Sequence, residues 1–223
     1  MSALPGFRIR ATEVSRVEAF SDVVFGFALT LIVISLEVPR TFAELTAAMR
    51  GFWAFTICFA ILCWIWYAHY TFFRRFGLHD TYTLVLNSFL LFLVLFYIYP
   101  LKFLFALLTG GLEEGAVSRA DTITLLVIYG VGFAGLFLVF FLLYLHALRK
   151  HEELELTPRE MAFTRKYMTM YLAYVFIGVV STVLALTLPG KWVALSGWSY
   201  FLIGPCSALI WAIRPVMPET ISD

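Results

Sequence analysis

Six long apolar segments run along the chain, and only short polar connections separate them. They cover roughly residues 17–38, 51–73, 82–108, 121–148, 167–188 and 193–213. Each is about as long as the roughly 20 apolar residues that a helix needs to cross a bilayer, and none alternates polar and apolar residues as a barrel strand does. The pattern predicts an all-α integral membrane protein, with six transmembrane helices in a single domain over residues 1–223.

The composition supports this interpretation and excludes several other classes of protein. Hydrophobic residues make up 61% of the 223 residues and charged residues 14%, whereas a soluble domain is about 25% charged. The net charge of +1 provides no basic field that would attract nucleic acid. Cys58, Cys63 and Cys206 lie within apolar segments and lack the spacing of a metal site. No HExxH or GxSxG motif is present, so we do not predict an enzyme.

The positively charged residues are unevenly divided between the two sides of the predicted membrane. Most of the 16 Lys and Arg residues fall on the side that holds both chain ends. These are Arg8, Arg10, Arg16, Arg74, Arg75, Arg149, Lys150, Arg159, Arg165, Lys166 and Arg214. Because cytoplasmic loops carry such an excess, we expect both termini in the cytoplasm, which requires an even number of helices.

Polar residues mark the starts of two predicted helices. In the connection 150–166, Thr157 followed by Pro158 is typical of a helix start. We expect the first helix to start near Thr12, which would place Asp22 about three turns inside it. A carboxylate within a membrane helix usually faces protein or water, so Asp22 would need partners on neighbouring helices. Alternatively, Ser21 and Asp22 only complement a helix N-terminus at the interface.

The spacing Arg-x-x-x-Phe-Ser-Asp in the first helix resembles the signature of the transmembrane protein 175 family, whose animal members are endolysosomal potassium channels. The match lies on Arg16, Phe20, Ser21 and Asp22. Further positions with family-like spacing are Ala28, Thr30, Leu31, Pro39, Trp66, His69, Phe73, Arg74, Asp80, Asn87 and Pro100. The last three predicted helices resemble the family only in length and hydrophobicity.

The resemblance implies a potassium-permeable channel that conducts passively and uses no cofactor other than the permeant potassium ions. Bacterial members carry one six-helix unit per chain and assemble as homotetramers, with the first helix of each subunit lining a central pore. The single unit therefore implies a bacterial plasma membrane, where the partners are the bilayer, further copies of the chain and potassium ions. The family's selectivity comes from rings of bulky aliphatic side chains.

One face of the first helix is suited to form such rings. Positions spaced by four and three residues share a helix face, and from Phe27 that face continues through Leu31, Ile34 and Val38, with Thr30 beside it. A narrow apolar ring excludes water and gates a pore by dewetting. Phe27 departs from the family, in which an aliphatic residue is usual, and any apolar helix shows such a stripe for ordinary packing.

Several polar residues predict a network that holds this helix in place. The expected members are His69, Asp80 and Asn87, joined to Arg16, Ser21, Asp22 and Trp66. If Asp80 is not a member, it is a solvated cap at the membrane interface. A second function remains open, a secondary transporter or proton-coupled carrier that uses Asp22 and His69, although the central thirds of the helices are mostly apolar.

Overall fold

The computed structural model describes residues 7–34, 40–42, 45–46, 49, 52–108, 118–189 and 192–213, which contain helices and no strand. In chain order the helices are α1 (Arg16–Ile34), α2 (Phe52–Phe76), α3 (Thr81–Leu108), α4 (Arg119–Arg149), α5 (Pro158–Thr187), α6 (Ala194–Trp198) and α7 (Ile203–Ile213). A short 3₁₀ helix over Ser199–Leu202 joins the last two.

Five stretches of the described residues are long and apolar enough to cross a membrane. They are Phe52–Phe76, Thr81–Leu104, Ala120–Arg149, Pro158–Thr187 and Leu195–Ile213. The predicted all-helical, multi-pass class is therefore confirmed for this part of the chain. The described part of α1, Arg16–Ile34, is not among these five stretches. The count of six spans and the side of the termini stay predictions.

The start of α1 differs from the prediction. The helix begins at Arg16 because a reciprocal cap forms just before it: the Ser15 amide donates to Glu18 Oε2 (2.9 Å), and Ser15 Oγ accepts from the Glu18 amide (3.2 Å). The expected start near Thr12 was wrong, since Thr12 does not form this cap. Asp22 consequently lies less than two turns inside the helix.

The start of α5 and the course of the last span also refine the prediction. Thr157 and Glu160 form a capping box with Pro158 in the first turn, so the helix start predicted at Thr157 and Pro158 is confirmed, and α5 begins before the apolar segment 167–188. The predicted continuous helix over 193–213 is interrupted at Ser199–Leu202, before Pro205. The hydroxyls of Ser181 and Ser199 both donate to the Ser196 carbonyl, which takes that carbonyl away from regular helical bonding.

The scaffold is centred on the antiparallel pair α4 and α5, where the backbones approach closely. A Cβ on Gly178 would lie 3.0 Å from the Ala134 amide nitrogen and 3.0 Å from the Gly130 carbonyl oxygen. Beside this contact, Phe137, Phe140 and Tyr171 pack as buried rings. On the other side of the scaffold, α1 packs against α2 and α3.

Candidate functional site: the first helix and its polar contacts

α1 has two different faces within the subunit. Its inner face is buried and carries Glu18, Ser21, Phe25, Ala28 and Ile32, which recur at the three- and four-residue spacing of one helix face. Its outer face is left uncovered by the described residues. On this outer face lie Arg16, Ala19, Phe20, Asp22, Val23, Gly26, Phe27 and Thr30, all exposed. The outer face therefore combines polar and apolar residues.

A chain of hydrogen bonds joins the inner face to α2 and α3. Asn87 Oδ1 is 2.8 Å from His69 Nε2, and Asn87 Nδ2 donates to Ser21 Oγ at 3.0 Å. The Ser21 hydroxyl in turn donates to the Val17 carbonyl at 2.7 Å. Because an amide oxygen only accepts, His69 carries its proton on Nε2. The predicted contacts among these residues are present, and Ser21, His69 and Asn87 are all at most 2% exposed.

A second bond ties the outer edge of α1 to α2. The indole Nε1 of Trp66 donates to Asp22 Oδ1 at 2.8 Å, and the Trp66 ring stacks on Tyr70 with centroids 5.7 Å apart. The predicted partnership of Asp22 with Trp66 is thus present. Asp22 is exposed, however, so its carboxylate is held at the outer face and is not enclosed by the subunit.

Asp80 does not join this network, and the expectation that it would was wrong. Asp80 Oδ1 accepts from the Thr83 amide at 2.8 Å and so caps α3, while Oδ2 lies 2.7 Å from His146 Nε2 and 3.0 Å from Lys150 Nζ. Asp80 precedes α3 in a short turn, so its side chain faces the end of α4. Sequence reasoning missed this pairing, because 66 residues separate Asp80 from His146 in the chain.

These contacts set the charge of the Asp80 carboxyl group. Partial burial alone would raise its pKa, but the hydrogen bonds from His146, the Thr83 amide and Lys150 outweigh that effect and hold the pKa of Asp80 well below its ordinary value. Bonds to Glu153 and Asp80 raise the pKa of Lys150. Asp80 and Lys150 are therefore an ion pair at neutral pH.

The remaining motif residues make no network contact. Arg16 is exposed, and the described part of the chain gives it neither a hydrogen bond nor an ion pair. Phe20 is 62% exposed. Arg16 was expected at one end of the network, and that expectation was wrong because the side chain leaves from the outer face of α1.

Of the residues predicted to form rings, Phe27 and Thr30 lie on the outer face and Leu31 lies beside it. Phe27 is 56% exposed, and Thr30 is exposed with its hydroxyl donating to the Gly26 carbonyl at 2.9 Å. Leu31 is half-buried. Ile34 is the last described residue of α1, and Val38 lies outside the described residues. The exposed positions Phe20, Val23 and Phe27 extend the same stripe toward the start of the helix.

The site offers hydrogen bonds and positioning rather than reactive groups. Within the described residues, no group of three or more His, Cys, Asp or Glu side chains could hold a metal ion. The bonds of Ser21, His69 and Asn87 instead fix the rotation of α1 about its own axis, because each accepts or donates along one direction.

Comparisons with known proteins point to one family. The family described as "Endosomal/lysosomal potassium channel TMEM175" matches residues 16–97. A protein of Marivirga tractuosa named "Potassium channel" is 38% identical over 216 residues, covering 90% of this chain and 87% of that protein. A potassium channel of Chamaesiphon minutus is 33% identical over 97 residues, covering 40% of this chain and 48% of that protein.

Two solved structures are also similar. One is a crystal structure of a variant of the potassium channel MtTMEM175 with a nanobody fusion protein, with a TM-score of 0.84 and 36% identity, covering 96% of this chain and 98% of that one. The other is a TMEM175 homologue from Chamaesiphon minutus, described as a lysosomal potassium-selective channel, with a TM-score of 0.60 and 25% identity, covering 87% of this chain and 95% of that one.

Proposed function

Because this chain belongs to the TMEM175 family of potassium channels, we propose that it conducts potassium ions passively through a pore formed by a homotetramer. In this proposal α1 of each subunit lines the central pore, the chain spans the membrane six times, and both termini face the cytoplasm. The channel lies in a bacterial plasma membrane and uses no cofactor beyond the permeant ion.

The observation that carries the proposal is the mixed character of the outer face of α1. Exposed apolar residues alone would be compatible with contact to lipid, since lipid tails are apolar. The same face, however, carries Arg16, Asp22 and Thr30, and charged residues in membrane helices face protein or water. The outer face of α1 is therefore better suited to other subunits and a water-filled path than to lipid.

Apolar rings on this face give the proposed pore its constriction. Four copies of Phe27, Leu31 and Ile34 would stack along the axis with Thr30 beside them, and Val38 would extend the stripe. An ion that passes a narrow apolar ring gives up part of its hydration shell, which favours potassium over the more strongly hydrated sodium. Phe27 is the largest of these side chains and would form the tightest ring.

The alternative of a proton-coupled carrier is less well supported. A carrier that uses His69 needs water or substrate to reach the imidazole. His69 is 1% exposed, and its Nε2 donates a hydrogen bond to Asn87 Oδ1. The rings of Phe25 and Phe73 lie 5.5 and 4.6 Å from the imidazole ring. These contacts favour a structural role for His69.

The proposal is tested with purified protein in liposomes that contain a potassium gradient. We expect potassium flux without any counter-substrate, and a tetramer by native mass spectrometry in mild detergent. Absence of flux from tetrameric protein would overturn the channel, and a monomer would exclude a central pore.

The position of the pore is tested by Leu31→Asn on α1. A polar side chain in an apolar constriction admits water, so we expect a higher flux and a lower potassium-to-sodium permeability ratio. Val131→Asn is the matched control, since Val131 lies on α4 and is exposed there. Equal behaviour of the two variants would mean that Leu31 does not line the pore.

A further inference from the structure

The segment before α1 is fixed to the body of the subunit at several points. Residues 7–15, which we call the N-terminal strap, are not helical and lead directly into Arg16. Phe7 at the start of the strap is 7% exposed and packs edge-on against Phe76 at the end of α2, with centroids 5.5 Å apart. The guanidinium of Arg75 lies 5.2 Å from the centre of the Phe7 ring.

The middle of the strap pairs with α5. Arg10 donates Nη2 to Glu160 Oε2 at 2.8 Å and Nη1 to Glu160 Oε1 at 3.1 Å, a bidentate ion pair. Its Nε donates to the Leu154 carbonyl at 2.9 Å, and the Arg8 amide adds a bond to Glu160 Oε1 at 2.8 Å. Arg10 is 16% exposed and Glu160 only 1%.

Glu160 accepts more hydrogen bonds than the cap of α5 needs. The capping box uses one bond, from the Thr157 amide to Glu160 Oε2 at 3.0 Å. The three bonds from Arg8 and Arg10 do nothing for α5 itself. They connect the beginning of α5 to the strap, which is more than 140 residues earlier in the chain.

The last part of the strap leaves α1 little freedom. The amides of Arg10 and Ala11 both donate to the Arg74 carbonyl, at 3.2 and 3.3 Å. Ser15, which caps α1, comes only four positions after Ala11, a distance of at most about 14 Å in extended chain. The start of α1 is therefore tied to the ends of α2 and α5 by a short tether.

From this arrangement we infer that Arg10 and Glu160 are a positioning pair for the channel: they hold the cytoplasmic end of α1 so that the four copies stay aligned around the pore. The inference rests on the proposed function, because α1 must line the pore for its position to matter. Neither residue touches the ion path. Loss of the pair frees the strap and widens the range of positions of α1, which loosens the apolar constriction and lowers selectivity.

The test compares three variants in liposomes with the unmodified protein. Glu160→Gln retains an amide oxygen that can complete the capping box but removes the charge that Arg10 binds, and Arg10→Met removes the cation. We expect each to lower the potassium-to-sodium permeability ratio at least threefold in protein that remains tetrameric. Thr157→Ala is the control: it removes the cap bond that the Glu160 amide donates to the Thr157 hydroxyl oxygen (3.2 Å) and leaves the ion pair, so its ratio should stay within a factor of 1.5.

A conservative variant separates positioning from folding. Arg10→Lys retains the charge but cannot form the bidentate pair, so we expect a ratio between those of the unmodified protein and Arg10→Met. If Arg10→Met fails to assemble, Arg10→Lys decides: an unchanged ratio overturns the inference, and a lowered ratio supports it. If the unmodified protein conducts and Glu160→Gln, Arg10→Met and Arg10→Lys all match its permeability ratio, the inference fails alone. Absence of conduction in the unmodified protein instead refutes the proposed function.

Discussion

Two regions of the subunit are held together by different means. Around α1, α2 and α3, the contacts are directional hydrogen bonds made by Ser21, His69 and Asn87. Between α4 and α5, they are stacked aromatic rings and a close backbone approach at Gly178. Since lipid tails leave little hydrophobic force to drive helix association, packing and hydrogen bonds must both contribute. Hydrogen bonds fix the orientation of a helix, whereas close packing mainly supplies stability.

The largest loss of stability is expected from Gly178→Leu in the α4–α5 pair. The added side chain would press on the backbone of Ala134 and Gly130, 3.0 Å from its Cβ, and overpacking of this kind costs about 3 kcal/mol. Thermal unfolding in detergent measures the loss. Gly204→Leu is the matched control, since nothing lies within 4 Å of a Cβ at Gly204 in the last span. If both variants unfold at the same temperature, close packing does not stabilise this region.

Asn87→Leu is expected to lower stability less than Gly178→Leu does, but to lower potassium flux more. The substitution leaves His69 Nε2 and Ser21 Oγ without their partner, at a cost of about 1–2 kcal/mol between membrane helices. Because α1 loses its fixed rotation, potassium flux in liposomes should fall by more than tenfold. Ser88→Leu changes the neighbouring, exposed position and should leave flux nearly unchanged. Flux retained by Asn87→Leu would show that the polar region is not needed to orient α1.

The two regions also differ in how far the sequence predicted them. The motif residues Ser21 and Asp22 and the polar residues Trp66, His69 and Asn87 stand out in apolar helices, and buried polar groups require partners. Their contacts were predicted correctly for this reason. For the α4–α5 packing, the small residues Gly130 and Ala134 indicate that α4 allows a close helix contact, but which helix faces them cannot be derived from one chain.

Other differences between the predicted and the observed contacts arise where the two partners are distant in sequence. Asp80 was assigned to the network as a polar residue that needs a partner if it is buried, but the turn before α3 directs it to His146 and Lys150 at the end of α4. The N-terminal strap was not predicted at all, because its positive charges were interpreted only as a signal of orientation. Arg10 and Glu160 are 150 residues apart, and no spacing rule connects such positions.

The smallest loss of stability is expected from Asp80→Asn. The direction in which this loss changes with pH follows from the pKa of Asp80. The folded-state pKa of Asp80 lies below its ordinary value of about 3.9, so its pairing with His146 and Lys150 stabilises the protein above that pH. The stabilisation declines as the pH falls from about 4 toward the folded-state pKa. An asparagine side chain can still cap α3 through the Thr83 amide, so the substitution keeps the cap but removes the negative charge and the oxygen that accepts from His146 and Lys150.

We therefore expect the melting temperature of Asp80→Asn to lie about 2 °C below that of the unmodified protein at pH 7. The difference should shrink steadily below pH 4, since the unfolded chain of the unmodified protein then takes up a proton on Asp80 that the folded protein does not. Glu153→Gln removes an exposed partner of Lys150 on the neighbouring turn and should change the melting temperature less at either pH. If the difference in melting temperature between Asp80→Asn and the unmodified protein is the same at pH 3 as at pH 7, the ion pair of Asp80 does not stabilise the protein. Directional bonds would then matter only around α1.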